Sequence, residues 1–193
     1  MASSRVMFFI DGTWLWHNMM SQKQRTNTKL NLYKLPLEIL KVLPYRTSLK
    51  QITISASLPR NVDARDEKLV KKRERFFNLL YIKCEYTLDI YWIDFQGRRL
   101  LKKDRHPNDS WEPKEKYVDI SVTSNLLYHA ACNNYDEAVV ITGDKDFIPA
   151  LIKANWLNKG ITIATFRNSC SYQLAKMYNT IFIDDIIDRV ILD

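Results

Sequence analysis

The stretch that most constrains this chain is Ala138-Val139-Val140-Ile141-Thr142-Gly143-Asp144-Lys145-Asp146-Phe147. Its first four residues form a short apolar run rich in β-branched side chains. Such a run suits a strand buried on both faces of a parallel sheet. Thr142-Gly143 then turn the chain, and Phe147 to Asn155 read as a helix with Pro149 in its first turn, where the missing N–H costs little. Asp144 and Asp146 therefore fall where a strand ends and a helix begins. In open α/β sheets, ligands bind outside the carboxyl ends of the strands. An Asp at a helix start also serves as an ordinary N-cap, so the pair acquires chemical meaning only if other carboxylates converge on it.

The same grammar opens the chain. Arg5 to Ile10 reads as a buried strand that ends in Asp11-Gly12-Thr13, with a helix expected from Trp14 to Gln24 and Leu15 and Met19 facing inward. Residues 22–31 read as a polar loop, and Leu35 to Leu43 as a short amphipathic helix stopped by Pro44. Gln51 to Ser57 is a strand, in which Ile52 and Ile54 alternate with polar residues. Asn61 to Leu80 is a long helix, with Leu69, Val70, Phe76, Phe77 and Leu80 toward the core. Arg65, Lys68, Lys71, Lys72, Arg73 and Arg75 give that helix a basic face.

Tyr81 to Phe95 carries strand-forming residues, Gln96-Gly97-Arg98 a turn, and Arg99 to Lys103 a second arm. Residues 104–113 read as a loop. A helix over Tyr117 to Asn133 would bury Ile120, Leu127 and Ala131, with Asp119 at its start. Gly160 to Phe166 and Ile181 to Ile183 are further strands, separated by the turn Arg167-Asn168-Ser169 and a helix over Ser171 to Tyr178. Asp184 opens a terminal helix. Strands alternating with helices imply an α/β fold with a central parallel sheet flanked by helices on both faces, a Rossmann-like three-layer arrangement. Residues 1–193 are expected to form one domain.

Composition narrows the function classes. Lys plus Arg exceed Asp plus Glu by 29 to 22, for a net charge of +7, which favours a polyanionic partner. The three cysteines Cys84, Cys132 and Cys170 are odd in number and widely spaced. They suggest no disulfide framework and a reducing, cytoplasmic setting. Val6 to Ile10 is too short for the apolar core of a signal peptide, and no stretch is long enough to span a bilayer. No membrane partner is expected.

Three acidic positions now share one location type. Asp11 and the pair Asp144/Asp146 leave strand ends on one sheet edge, and the loop before Asp119 returns to that edge. Converging carboxylates repel one another unless a cation is present. Hard divalent ions such as Mg²⁺ and Mn²⁺ prefer oxygen ligands. Such clusters can activate water for phosphodiester hydrolysis.

Phe9-Ile10-Asp11-Gly12, Lys116-Tyr117-Val118-Asp119 and Thr142-Gly143-Asp144-Lys145-Asp146-Phe147-Ile148-Pro149 resemble the successive motifs of NYN domains, a family of the PIN-like nuclease fold. Ser171-x-x-Leu174 and Ile181-Phe182-Ile183 are similar to that family's C-terminal segment, so the likeness spans about residues 5 to 185. The resemblance implies a divalent-metal-dependent ribonuclease acting on RNA as an endonuclease. Asp11, Asp119, Asp144 and Asp146 would be both its catalytic and its metal-holding residues, with Mg²⁺ or Mn²⁺ as cofactor.

The expected substrate-binding residues are Asn18, Lys116, Thr142, Lys145, Arg167, Ser169 and Ser171. Self-association is left open. The sequence departs from the family at Trp14, where an Asn is common, at Lys145, where the residue is often small, and at Asn179, where an Asp is frequent. Trp14 is either core or a surface for a stacked base, and Asn18 lies one helical turn on from it.

Two rival readings compete. A haloacid dehalogenase-type phosphatase shares Asp-Gly-Thr after a strand, but its nucleophilic Asp would have to stand where this chain has Phe9. The second rival is a non-catalytic PIN-like module that binds RNA or protein.

Overall fold

The computed structural model describes residues 3–26, 30–84, 86–113 and 117–191. Six strands form one sheet: β1 (Ser4–Asp11), β2 (Thr47–Arg60), β3 (Thr87–Asp94), β4 (Glu137–Ile141), β5 (Gly160–Thr165) and β6 (Asn179–Phe182). Their spatial order is β3-β2-β1-β4-β5-β6, and every pairing is parallel. The helices are α1 (Gly12–Thr26), α2 (Lys34–Val42), α3 (Glu67–Cys84), α4 (Tyr117–Ala131), α5 (Ile148–Trp156) and α6 (Tyr172–Met177). Parallel neighbours cannot be joined by tight turns, so each crossover carries helix across a face. Among the described residues, no helix is long and apolar enough to cross a membrane.

The sheet divides the core in two. On one face Phe8, Ile10, Ile54 and Val139 pack against Leu15, Met19, Ile39 and Phe77 from α1, α2 and α3. On the other, Met7, Phe9, Val140 and Ile163 meet Val118, Val122, Leu126 and Leu151 from α4 and α5. Successive strand residues point to opposite faces. Phe8 and Phe9 thus serve separate cores, and the apolar runs are continuous because both faces of the sheet are covered. This is the expected three-layer α/β arrangement.

Several local expectations are corrected. The first helix continues through Thr26 into the segment read as loop, and residues 27–29 of that segment lie outside the described residues. β2 extends to Thr47 and Arg60. Its polar residues Thr53, Ser55 and Ser57 are buried rather than facing water. The basic helix begins only at Glu67, after a 3-10 turn over Ala64–Asp66, and runs on through Cys84 into residues read as strand.

On α3, Leu69 is half exposed while Arg73 takes a core-facing place. On α4, Ile120 is exposed and the buried stripe is Val118, Val122, Leu126 and Ala130. Both stripes of α4 have helical spacing. Only contact with Phe9 and Val140 of the sheet selects one of them.

The expected second arm over Arg99 to Lys103 is absent. Gln96 and Gly97 do make a turn, with φ of 52° and 76°. The chain then leaves the sheet. Arg99 donates from Nε to Asp66 Oδ2 at 2.9 Å, and the Leu100 N–H reaches the same oxygen at 2.7 Å. Asp66 is buried, so these bonds outcompete strand pairing and fold the segment back against the start of α3. The terminal segment after Ile183 is 3-10 rather than α-helix.

Arg5 ties the start of β1 to the start of β4. Its backbone N–H and its guanidinium both donate to Asp136, with Nη2 to Oδ1 at 2.6 Å. These bonds hold the Asp136 carboxyl at about 2, below its ordinary 3.8. A carboxyl lowered in the folded state contributes stability above its unfolded pKa, and that contribution is lost as pH falls through the folded value. Asp136→Asn should lower the melting temperature slightly at neutral pH, because the pair is partly solvated. It should also flatten the parent's decline between 3.8 and about 2. Melting curves of both proteins across that window check this.

Candidate functional site

All six strands run the same way, so their carboxyl ends share one edge. The register pairs Ile10 with Ile141 and Asp11 with Ser55. Asp11 therefore leaves β1 directly beside the Thr142-Gly143-Asp144 turn that leaves β4. Asp11 is buried at 5% exposure, and its Oδ1 accepts the Trp14 N–H at 2.9 Å, capping α1. Asp119 lies in the first turn of α4, whose N-terminus comes to the same edge. A pocket of about 270 Å³ is lined by Asp11, Thr13, Trp14, His17, Asn18, Val118, Asp119 and Asp144. Three carboxylates from three separate elements thus share one cavity, into which two helix starts project their positive ends.

Close backbone approach shapes the rim. A Cβ on Gly143 would stand 1.8 Å from the Ser169 carbonyl oxygen and 3.0 Å from Trp14 Nε1. The Ser171 N–H donates to the Gly143 carbonyl at 2.9 Å. The loop after β4 is thereby clamped between α1 and the turn after β5. A Cβ on Gly12 would come within 2.8 Å of Ile54 Cγ1, so this glycine lets α1 start flush against β2. Asp144 Oδ1 accepts the Asp146 N–H at 2.9 Å and caps the 3-10 turn over Lys145–Phe147.

The structure separates the expected residues. Asp11, Asp119, Asp144 and Asn18 line the pocket. Asn18 Nδ2 also donates to the Trp14 carbonyl at 2.9 Å. Asp146 is exposed on the 3-10 turn and is not among the lining residues; Lys145 beside it is exposed as well. Thr142 is fully buried and its hydroxyl accepts the Asp144 N–H at 3.2 Å, so it shapes the loop.

Ser171 caps α6, and Ser169 meets Gly143 through its backbone. The turn after β5 therefore borders the site, but the Arg167 side chain is engaged elsewhere. It donates to both Asp185 oxygens at 2.7 Å and lies 4.1 Å over the Phe182 ring. Lys116 lies outside the described residues.

Trp14 stacks on Phe166 with centroids 5.9 Å apart, while its edge lines the pocket. It is half-buried, so it packs on the core and also reaches the pocket. Two lining residues had no distinct sequence signal. His17 follows Asp11 by six positions in an ordinary helix, and Thr13 looks like a turn residue. Thr13 Oγ1 accepts the Ser57 N–H at 3.0 Å, which fixes the start of α1 to β2.

Hard divalent ions take oxygen ligands, and Mg²⁺ keeps several waters while binding through one or two carboxylates. The donor set of this pocket is of that kind. Among the described residues, no three acidic, His or Cys side chains stand close enough to form a ready-made cage. What the pocket offers such an ion is carboxylate oxygens from Asp11, Asp119 and Asp144, without a preformed cage.

Gly143→Ala should destabilise the fold by about 1–3 kcal/mol, because the added methyl meets backbone that has no rotamer with which to yield. Urea unfolding measures this, and a neutral result would contradict the clamp.

The profile of the NYN domain family matches residues 87–184. No curated protein sequence matches the chain. Among solved structures, the chain is similar to a protein of unknown function from Vibrio parahaemolyticus. That likeness has a TM-score of 0.60 at 14% identity and covers 98% of this chain and 97% of the other. At that identity it speaks for the fold alone. A weaker likeness, to a candidate UDP-N-acetylglucosamine 2-epimerase from Listeria monocytogenes, has a TM-score of 0.36 at 17% identity. It covers 85% of this chain and 32% of that one, and carries no weight here.

Proposed function

We propose, for a chain that belongs to the NYN domain family, that it is a ribonuclease hydrolysing RNA phosphodiester bonds at the pocket formed by Asp11, Asp119 and Asp144. The NYN domain is a PIN-like, nuclease-type domain; the substrate, the metal and the residues in their roles are our own reading. The observation that carries it is the convergence of three carboxylates from β1, α4 and the β4 turn on one pocket.

Asp11, Asp119 and Asp144 would hold Mg²⁺ or Mn²⁺, directly or through water. A bound ion would supply charge stabilisation at the phosphoryl oxygens and a more acidic water. Around it, each side chain has a task. Asp11 is fixed by the Trp14 N–H, so its second oxygen keeps a defined direction. Asp144 is fixed by the Asp146 N–H, and Thr142 fixes the Asp144 backbone from below. This preorganisation matters because transition-state stabilisation depends on groups already in place. Asp119 is more exposed and suits a role in accepting a proton from, or orienting, a water at the mouth. Asp146 acts from the pocket's margin through its backbone contact with Asp144. Asn18 supplies a neutral polar group to the pocket wall.

Asp11→Asn and Asp144→Asn keep the capping geometry, because Asn caps as well as Asp. Each should leave the melting temperature of the metal-free protein unchanged or slightly raised, since like charges are removed. Each should lower RNA cleavage in Mn²⁺ by about a hundredfold or more. Cleavage time courses on single-stranded and structured RNA, with Mg²⁺, Mn²⁺ or EDTA, check this beside thermal melts. Parent-like cleavage by both variants would move the activity elsewhere. A parent that binds RNA but never cleaves it would make the domain a non-catalytic RNA-binding module.

A further inference from the structure

A second cavity, of about 430 Å³, opens beside the acidic pocket. Trp16 of α1 forms one wall and Leu69 of α3 another. Phe95 and Leu101, from the segment after β3, close it. Leu69 and Leu101 are 50% and 51% exposed, so apolar surface faces solvent inside a groove of ligand-binding size. Among the described residues, the charged ones lining the groove are Lys72 and the buried Arg73, His17 also lines it, and none is acidic.

The two cavities are neighbours. His17 lines both. Arg73 Nη2 lies 3.3 Å from Thr13 Oγ1, and Thr13 lines the acidic pocket.

The outer wall is built in advance. Arg105 donates from its three guanidinium nitrogens to the carbonyls of Arg99, Leu100 and Trp111, at 2.7, 3.1 and 2.8 Å. The same guanidinium sits 5.1 Å over the Trp111 ring and 5.7 Å over Phe95. Arg99 pins the segment to Asp66. A wall held this way does not collapse into the groove.

Aromatic and aliphatic walls, a cationic margin and an adjacent site for phosphate chemistry select a flat apolar group that carries an anion. We propose that this cavity receives one unpaired nucleobase of an RNA strand whose backbone crosses the acidic pocket, with the adjoining phosphate toward Lys72. A base held in a duplex cannot enter, so the cavity gives the site a preference for single-stranded RNA. The proposal rests on the ribonuclease reading and deepens it. Base stacking on aromatic side chains is tolerant of sequence, so the preference is for strandedness rather than for one base.

The test uses the full chain. Adenosine and uridine 5′-monophosphates are titrated while the Trp16 indole signal is followed by NMR. A short labelled oligoribonucleotide, single-stranded or annealed to its complement, is titrated in EDTA. Leu101→Asp places a charge in the groove from an exposed position, and Leu69→Asp does so from the opposite wall if the first variant misfolds. The expected result is a shift of Trp16 with either nucleotide and about tenfold weaker single-strand binding by the variants. An abasic position in the strand should cause the same loss in the parent and no further loss in the variants.

If the parent cleaves RNA in Mn²⁺ but Trp16 does not shift and the variants bind as the parent does, the cavity holds no base and the ribonuclease reading stands. If nucleotides bind in the cavity and RNA is never cleaved, the base site stands and the ribonuclease reading falls. If the variants instead dissociate a self-associated parent with no effect on nucleotides, the occupant is a second copy and the proposal is overturned. If neither nucleotides nor RNA bind, both readings fall.

Discussion

The parallel pairing of β1 between β2 and β4 is the constraint on which the rest depends. Val6, Phe8, Phe9 and Val140 are without solvent exposure, so the strands must lie at the centre with helices on both sides. Parallel direction then delivers every carboxyl end to one edge. The pairing of Ile10 with Ile141 sets Asp11 beside the Thr142-Gly143-Asp144 turn. A slip of one residue would turn Phe8 and Phe9 to each other's faces and carry Asp11 out of reach. The packing that stabilises the sheet is therefore the same packing that gathers the acidic groups.

Near that edge the interior becomes polar, and two hydrogen-bond networks run through it. Ser55 Oγ lies 2.9 Å from Ser121 Oγ, which donates to Asp89 at 3.1 Å; Asn125 Nδ2 reaches the same carboxylate at 2.6 Å. Beyond the end of β1, Thr13 and Ser57 bond to each other and to Arg73. Buried polar groups stabilise only when satisfied, and when satisfied they fix geometry more sharply than apolar contact does. These two networks anchor α4 and α1 to β2, and so hold the two helix starts that flank the acidic pocket.

The positive charge of the chain has less freedom than its net value suggests. Arg98 meets Asp109 and Gln96, Arg99 meets Asp66 and Asp104, and Arg105 is engaged by backbone carbonyls and aromatic rings. Arg65 is drawn to Asp63. In the stretch from Arg98 to Arg105 all three arginines are thus engaged within the protein, while Leu100 and Leu101 line the larger cavity. Lys68 and Lys72 on α3 remain exposed. Net charge counts these roles alike, whereas phosphate binding depends on the cations left facing solvent.

From the sequence alone, the strand-then-Asp grammar at Asp11 and Asp144 determined the parallel α/β fold and the shared edge. Both arise from local physics: apolar runs bury, Gly turns the chain, and Asp caps the next helical turn. The motifs also carried the family resemblance that the domain profile bears out. Only the tertiary structure decided which stripe of α4 is buried, because both stripes fit a helical period and only the sheet distinguishes them. It also placed Asp146 outside the pocket lining, turned Arg167 toward Asp185 and brought His17 to the junction of two cavities. Those outcomes depend on partners distant in the chain, and periodicity carries no information about them.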